Sequence, residues 1–198
     1  MGPMNEIVEK TGRPGRPREE AAASHEKIMD AVHQLLQERP ARDVTMEAVA
    51  KRAGVGKPTL YKWWPTKAAL VFALFHERLA TAPLIDHTIP AEQALRARMH
   101  RLVDAFNGLF GKVMADLVAE GQSDPRVLRD LHDQHIKERR AAAINDVERG
   151  VASGEFRKGI DAETAVDAIV GAIYTRLLLR PEPLTSDYAD RLIDQVLK

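Results

Sequence analysis

The sequence predicts an all-α fold of about nine helices, in which a compact N-terminal module of short helices precedes a bundle of longer ones. Three observations carry this. Apolar residues recur at three- and four-residue spacing along most of the chain, the period of a helix with one buried face. No stretch alternates apolar and polar residues as a half-buried strand would. Proline, glycine and capping residues interrupt the pattern at helix-length intervals. There is no internal repeat and no low-complexity tract.

At 198 residues the chain allows one large domain or two small ones. Its 29 Lys+Arg balance 29 Asp+Glu, which excludes a uniformly basic histone-like protein and an acidic tail protein. Hydrophobic residues at 44% suffice for a real core and are too many for wholesale disorder. With 0 Cys, disulfides, zinc-thiolate sites, iron–sulfur clusters and a cysteine nucleophile are excluded, and the lack fits a reducing cytoplasm. The longest apolar stretch, around Ala168–Leu179, is shorter than the roughly 20 residues that span a bilayer. The polar N-terminus lacks the apolar core of a signal peptide, so a cytoplasmic protein without membrane contact is expected.

Each element has its own justification. Residues 1–23 read as a flexible basic arm, because the prolines and glycines of Gly12-Arg13-Pro14-Gly15-Arg16-Pro17-Arg18 preclude a helix. Ser24 caps the first helix, which buries Ile28, Ala31, Val32, Leu35 and Leu36 and ends at Arg39-Pro40. Thr45 caps a second, short helix with Ala48, Val49 and Ala53 inside, and Gly54 stops it. A third begins at Gly56-Lys57-Pro58, where proline costs nothing in the first turn, and runs through Trp63. Thr66 caps a fourth, with Leu70, Val71, Leu74, Phe75 and Leu79 on its buried face. Ala82–Pro90 reads as a connector. Longer helices follow over Ala91–Phe110 and Gly111–Gly121, from Asp124-Pro125 to about Ser153, from Asp161 to about Leu179, and over Ser186–Leu197. The division is an arm at 1–23, a module at 24–80 and a larger domain at 81–198.

The most informative spacing lies between Thr45 and Trp64. Two helices crossing steeply need a small residue where they touch, supplied by Ala50, and a positive-φ residue in the tight turn, supplied by Gly54. Val55 and Leu60 then bury against the first of the pair. This is helix-turn-helix spacing, though an αα-corner in any helical protein shares it. The third helix adds an outward face of Lys57, Thr59, Tyr61, Lys62 and Trp63, whose polar tips can reach base edges and phosphates in a major groove, while Trp64 packs inward. Lys67 opens the next helix, where an ammonium and a positive helix end both suit a phosphate. Between residues 10 and 67 there are 12 Lys/Arg against 7 Asp/Glu, whereas residues 81–198 hold 16 against 19. That asymmetry fits a polyanion-binding end, and equally chance clustering on a solvated surface. Arg13, Arg16 and Arg18, set among Gly and Pro, resemble an AT-hook-like arm suited to a narrow A·T minor groove.

The run Thr45-Met46-Glu47-Ala48-Val49-Ala50-Lys51-Arg52-Ala53-Gly54-Val55-Gly56-Lys57-Pro58-Thr59-Leu60-Tyr61-Lys62-Trp63-Trp64-Pro65-Thr66-Lys67-Ala68-Ala69-Leu70 resembles the DNA-binding signature of the TetR family of bacterial transcriptional repressors. The likeness covers about residues 24–80, and the motif is specific. Residues 81–198 match the family only in being helical and of the right length. The resemblance implies a homodimer on a palindromic operator in double-stranded DNA. It implies a three-helix DNA-binding domain linked by a fourth helix to a C-terminal domain that dimerises and encloses a small-molecule pocket. It implies DNA contacts at Lys57, Pro58, Thr59, Tyr61, Lys62, Trp63 and Lys67, and a phosphate contact at Thr45. One departure is visible: where the family commonly ends its recognition helix Tyr-x-His-Phe, this chain has Tyr61-Lys62-Trp63-Trp64, and Trp63 is bulkier than histidine.

The C-terminal part leaves its alternatives open. The helix over Ala162–Leu179 is apolar nearly all round, so one side suits a core and another a partner. Ala165, Ala168, Ile169 and Ala172, with Leu192 and Val196 of the last helix, could form a two-fold interface, or this could be the central helix of a monomer. The stripe Met99, Leu102, Val103, Phe106, Phe110 suits either plain core or a pocket for a small apolar or amphipathic effector. Met99, Val103, Phe106, Phe110, His135 and Tyr174 are the candidate lining. His132 and His135 stand i, i+3, but two ligands do not make a metal site. No phosphate loop, nucleophile elbow or metalloprotease motif is present, so neither an enzyme nor a cofactor is expected. The function expected is a ligand-released repressor. A constitutive or architectural DNA-binding dimer, and a ligand carrier on the same scaffold, remain as rivals.

Overall fold

The structure is a computed structural model, and it describes residues 18–79, 85 and 88–198, with the backbone alone for 18–20 and 78–79. Arg13 and Arg16, and most of the connector 82–90, lie outside the described residues. Among the described residues every regular element is helical. These are α1 (Arg18–Glu38), a 3₁₀ turn (Ala41–Asp43), α2 (Met46–Ala53), α3 (Lys57–Trp63) and α4 (Lys67–Leu74), which widens into a π-turn over Phe75–Leu79. Then come α5 (Ala91–Asn107), α6 (Leu109–Gly121), α7 (Pro125–Leu131), a π-turn (His132–Ile136), α8 (Lys137–Ser153), α9 (Ala162–Leu179) and α10 (Ser186–Leu197). The long helix expected over 124–153 is therefore α7 and α8 joined through one wider turn.

Two boundaries differ from expectation. α1 starts at Arg18, so Arg18 and Ser24 belong to the helix rather than to the arm or the cap. Only the residues up to Pro17 carry helix-breaking prolines and glycines, and Ala21–Ala23 are the strongest helix formers. The break between α5 and α6 falls at Gly108, not after Phe110. Gly111 lies inside α6, where a Cβ would collide with the Phe106 carbonyl, so it permits the close approach of the two helices.

The other local signals read through directly. Thr45, Thr66 and Asp161 cap α2, α4 and α9 by accepting from Ala48 N (3.1 Å), Ala69 N (3.1 Å) and Thr164 N (2.8 Å). α1 packs on α2 and α4, and α2 on α3. α5 lies among α6, α8, α9 and α10. α6 bridges the two groups, touching α1 and the 3₁₀ turn at one side and α5, α7 and α9 at the other. Asp146 on α8 is the sole buried charged residue among those described. Arg98 Nε (2.5 Å) and Arg149 Nη1 (3.0 Å) neutralise it, tying α5 to α8.

Candidate nucleic-acid interface

The turn between α2 and α3 is set by Gly54, at φ 66°, whose left-handed backbone lets Val55 N return to the Ala50 carbonyl at 3.0 Å. Nothing lies within 4 Å of a Cβ built there, so the requirement for glycine is conformational rather than steric. Gly56 and Pro58 start α3. Leu60 is its single buried residue, at 0% exposure, and Trp64, at 7%, packs inward just after it. With Leu60 pinned, the opposite face turns outward. Lys57, Pro58 and Lys62 are exposed, Tyr61 and Trp63 are 48% and 49% exposed, and Thr59 is half-buried. Thr45 is exposed at the start of α2, its hydroxyl oxygen occupied as a cap acceptor.

Two groups absent from the sequence reading hold this face. His25 on α1 lies against both tryptophans, with ring centroids 5.6 Å from Trp63 and 5.1 Å from Trp64. Its Nε2 meets Glu77 Oε2 at 2.7 Å, so it ties the end of α3 to α1 and to the end of α4. Glu47 on α2 pairs with Lys57, and this ion pair draws the Glu47 carboxyl below its usual range. Arg52 and Glu38 form a two-pronged pair at 2.5 and 2.8 Å that binds α2 to α1. Lys67 departs most from a free phosphate-seeking cation. Its side chain is half-buried, and its Nζ lies 2.7 Å from Glu120 Oε2 on α6 and 3.1 Å from the Ala41 carbonyl. No sequence signal marked Glu120, because the pair spans elements far apart in the chain.

The effector candidates fall into two groups. Phe106, Phe110, His135 and Tyr174 come together, while Met99 and Val103 are buried further along α5. Phe106 meets Tyr174 edge-on at 5.1 Å and stacks on Phe110 at 5.9 Å. Phe110 meets Phe75 at 4.7 Å and His135 at 4.8 Å, and His135 stacks on Phe72 at 5.4 Å. The rings thus run without a gap from α9 to α4, and Phe72 and Phe75 extend the set predicted from sequence. Burial pushes the His135 imidazole down to about 3, with Arg139 and His76 adding to the effect. The ring is therefore neutral near pH 7, and Arg139 Nη1 approaches its Nδ1 at 3.0 Å. Burial pushes the Tyr174 phenol up to about 12. A separate open cleft of about 480 Å³ lies beside the end of α9. It is lined by Lys112, Arg176, Arg180, Asn107, Leu184 and Phe106, so only Phe106 of the predicted set reaches it.

On α9 the inner side carries Ala165 and Ile169, which the protomer's own core covers. Its outer side carries Ala168, Gly171 and Leu178, all exposed, with Ala172 half-buried beside them. Leu192 and Val196 on α10 are half-buried. Among the described residues, no helix is long and apolar enough to cross a membrane.

Comparison with known proteins places these features in a family. Residues 28–74 match the model described as bacterial regulatory proteins, tetR family, and residues 85–196 match the tetracyclin repressor-like, C-terminal domain. The uncharacterized HTH-type transcriptional regulator YdeS of Bacillus subtilis is 30% identical over 184 residues, 93% of this chain and 92% of its own length. The crystal structure of the TetR family transcription regulator SCO0332 superposes with a TM-score of 0.69 at 26% identity, covering 87% of this chain and 96% of that one. The fold is shared with the transcriptional regulator FadR from Bacillus subtilis, solved in complex with stearoyl-CoA, at TM-score 0.67 and 18% identity over 88% of this chain and 98% of that one.

Proposed function

This chain belongs to the TetR family of sequence-specific DNA-binding transcriptional regulators, and we propose that it works in the cytoplasm as a homodimeric repressor released from a palindromic operator by a small-molecule effector. The observation that carries the DNA-binding part is the outer face of α3, where one buried leucine aims Lys57, Tyr61, Lys62 and Trp63 at solvent. In this reading the division of labour follows the domains at 24–80 and 81–198, with the basic arm adding minor-groove contacts. Lys57, Thr59 and Lys62 read bases, whereas Thr45, Pro58, Tyr61, Trp63 and Lys67 position the protein on the phosphate backbone. Arg13 and Arg16 belong to the arm, and Arg18 joins them from the first turn of α1. The Lys57→Ala, Tyr61→Phe double variant tests the assignment. Operator affinity should fall by at least tenfold with the melting temperature unchanged, and unmoved affinity would refute it.

The outward stripe of Ala168, Gly171, Ala172 and Leu178, with Leu192 and Val196, supports dimerisation, because small residues allow close helix approach. The effector reading is supported by the ring chain from Tyr174 to Phe72 and Phe75. A small apolar or amphipathic molecule that displaces those rings acts directly on α4, which adjoins the DNA-reading helices. A ligand shifts the equilibrium only by its difference in affinity for the two states. The burial of Met99, Val103, Phe106 and Phe110 favours a second reading, a ligand-independent DNA-binding dimer. Titration of a chemical library against the DNA complex separates the two, since in the second reading no compound changes operator affinity. Neither reading includes catalysis.

A further inference from the structure

We infer that Glu120 on α6 competes with operator phosphate for Lys67 and thereby sets the strength of DNA binding, an inference that rests on the reading of Lys67 as a phosphate contact. Lys67 is the first residue of α4. Its ammonium has three donors, and two are occupied by Glu120 Oε2 at 2.7 Å and the Ala41 carbonyl at 3.1 Å. The third donor remains for a phosphate, but the ammonium is already neutralised and a carboxylate stands beside the incoming anion. One turn earlier on α6, Asp116 Oδ2 accepts from Ala41 N at 2.7 Å. Two carboxylates of one helix therefore grip the 3₁₀ turn and the start of α4, and both repel phosphate.

The comparison with Lys57 separates this pair from an ordinary surface contact. Lys57 and Glu47 are 55% and 67% exposed, so water and salt screen their attraction and a phosphate replaces the carboxylate at little cost. Lys67 and Glu120 are 17% and 30% exposed. Their attraction is screened less, and the carboxylate lost from the ammonium regains little water unless α6 withdraws. Lys57 and Lys67 are both expected to meet DNA, yet the first is thus freely exchanged and the second is withheld by a helix that also carries Phe110.

The test is fluorescence anisotropy of the full chain with a labelled random-sequence duplex of about 30 base pairs, since phosphate contacts carry no sequence information. Wild type, Glu120→Gln, Lys67→Gln and the double variant are compared across a range of salt, with thermal melts alongside. Glu120→Gln should tighten binding by roughly three- to tenfold at low salt and steepen the salt dependence by up to about 0.9 in log–log slope, the release expected for one further phosphate contact. The gain should vanish in the Lys67→Gln background. Glu120→Asp, which keeps the charge but shortens its reach, should lie between wild type and Glu120→Gln. If Glu120→Gln binds no more tightly than wild type while Lys67→Gln binds more weakly, Glu120 is only a structural tie and the inference falls while the phosphate reading stands. If Lys67→Gln binds as wild type does, both fall.

Discussion

Gly111→Ala sets two physical arguments against each other, and the structure decides the sign. Gly111 is the third residue of α6. By helix propensity alone, alanine should stabilise such a position by about 1 kcal/mol. In this fold, however, its Cβ would strike the carbonyl and Cα of Phe106 at the end of α5. Those are backbone atoms that no rotamer change can move aside. Overpacking against a yielding side chain costs about 1–3 kcal/mol, and a backbone obstacle belongs at the upper end of that range or beyond it. The net expectation is a loss of roughly 2 kcal/mol, or a fall in melting temperature of about 4–8 °C for a chain of this size. Circular dichroism melts at matched protein concentration measure it, the concentration being fixed because assembly would raise the apparent stability. Near-ultraviolet spectra should also change, since Phe106 and Phe110 flank the site and hold the aromatic chain together. Gly54→Ala is the internal control. Its Cβ would meet nothing within 4 Å, so only the strain at φ 66° counts, about 1 kcal/mol. A melting temperature for Gly111→Ala equal to or above wild type would refute the close-approach argument.

Other outcomes follow from the same geometry. Asp146→Ala leaves the Arg98 and Arg149 guanidiniums without their shared anion, so stability should fall by about 3 kcal/mol in urea melts, and a loss under 1 kcal/mol would contradict the account. His135 titrates in the unfolded chain near the ordinary imidazole value of 6.5 and in the folded chain at about 3, so the unfolded state binds the proton first as pH falls. Its contribution is complete above about pH 6.5 and drains toward pH 3, by at most about 1.4 kcal/mol per pH unit. His135→Phe should flatten that part of the stability profile between about pH 6.5 and pH 4.5, and an unaltered profile would overturn the assignment. Thr45→Ala removes the acceptor for Ala48 N and should cost about 1 kcal/mol, read from the same melts.

Local signals made the DNA-reading half legible from sequence. Thr45 and Thr66 are caps because their hydroxyls sit at the right offset from an apolar run, and Gly54 ends a helix because few residues accept its backbone angle. Leu60 at 0% exposure and Trp63 at 49% follow from the same short-range periodicity. What was not legible depends on residues far apart in the chain. Glu120 reaches Lys67 across 53 positions, and His25 reaches Glu77 across 52. Periodicity records which face of a helix is apolar, not which distant carboxylate faces which cation. Gly111 is a local case of a different kind, since it reads as a helix boundary until the turn at Gly108 brings the Phe106 carbonyl against it. Ala165 and Ile169 share with Ala168 a helix apolar on all sides, so composition alone did not separate the core-facing residues from the outward stripe.

The central claim is that the α3 face reads a two-fold DNA site. Its most direct test is selection of random duplex DNA by the purified chain at two salt concentrations, followed by sequencing of the bound fraction. An enriched inverted repeat is predicted, with half-sites about one helical turn apart or a multiple of it and affinity falling steeply with salt. Recovery of DNA with no enriched sequence, or of a single half-site without dyad symmetry, would contradict it.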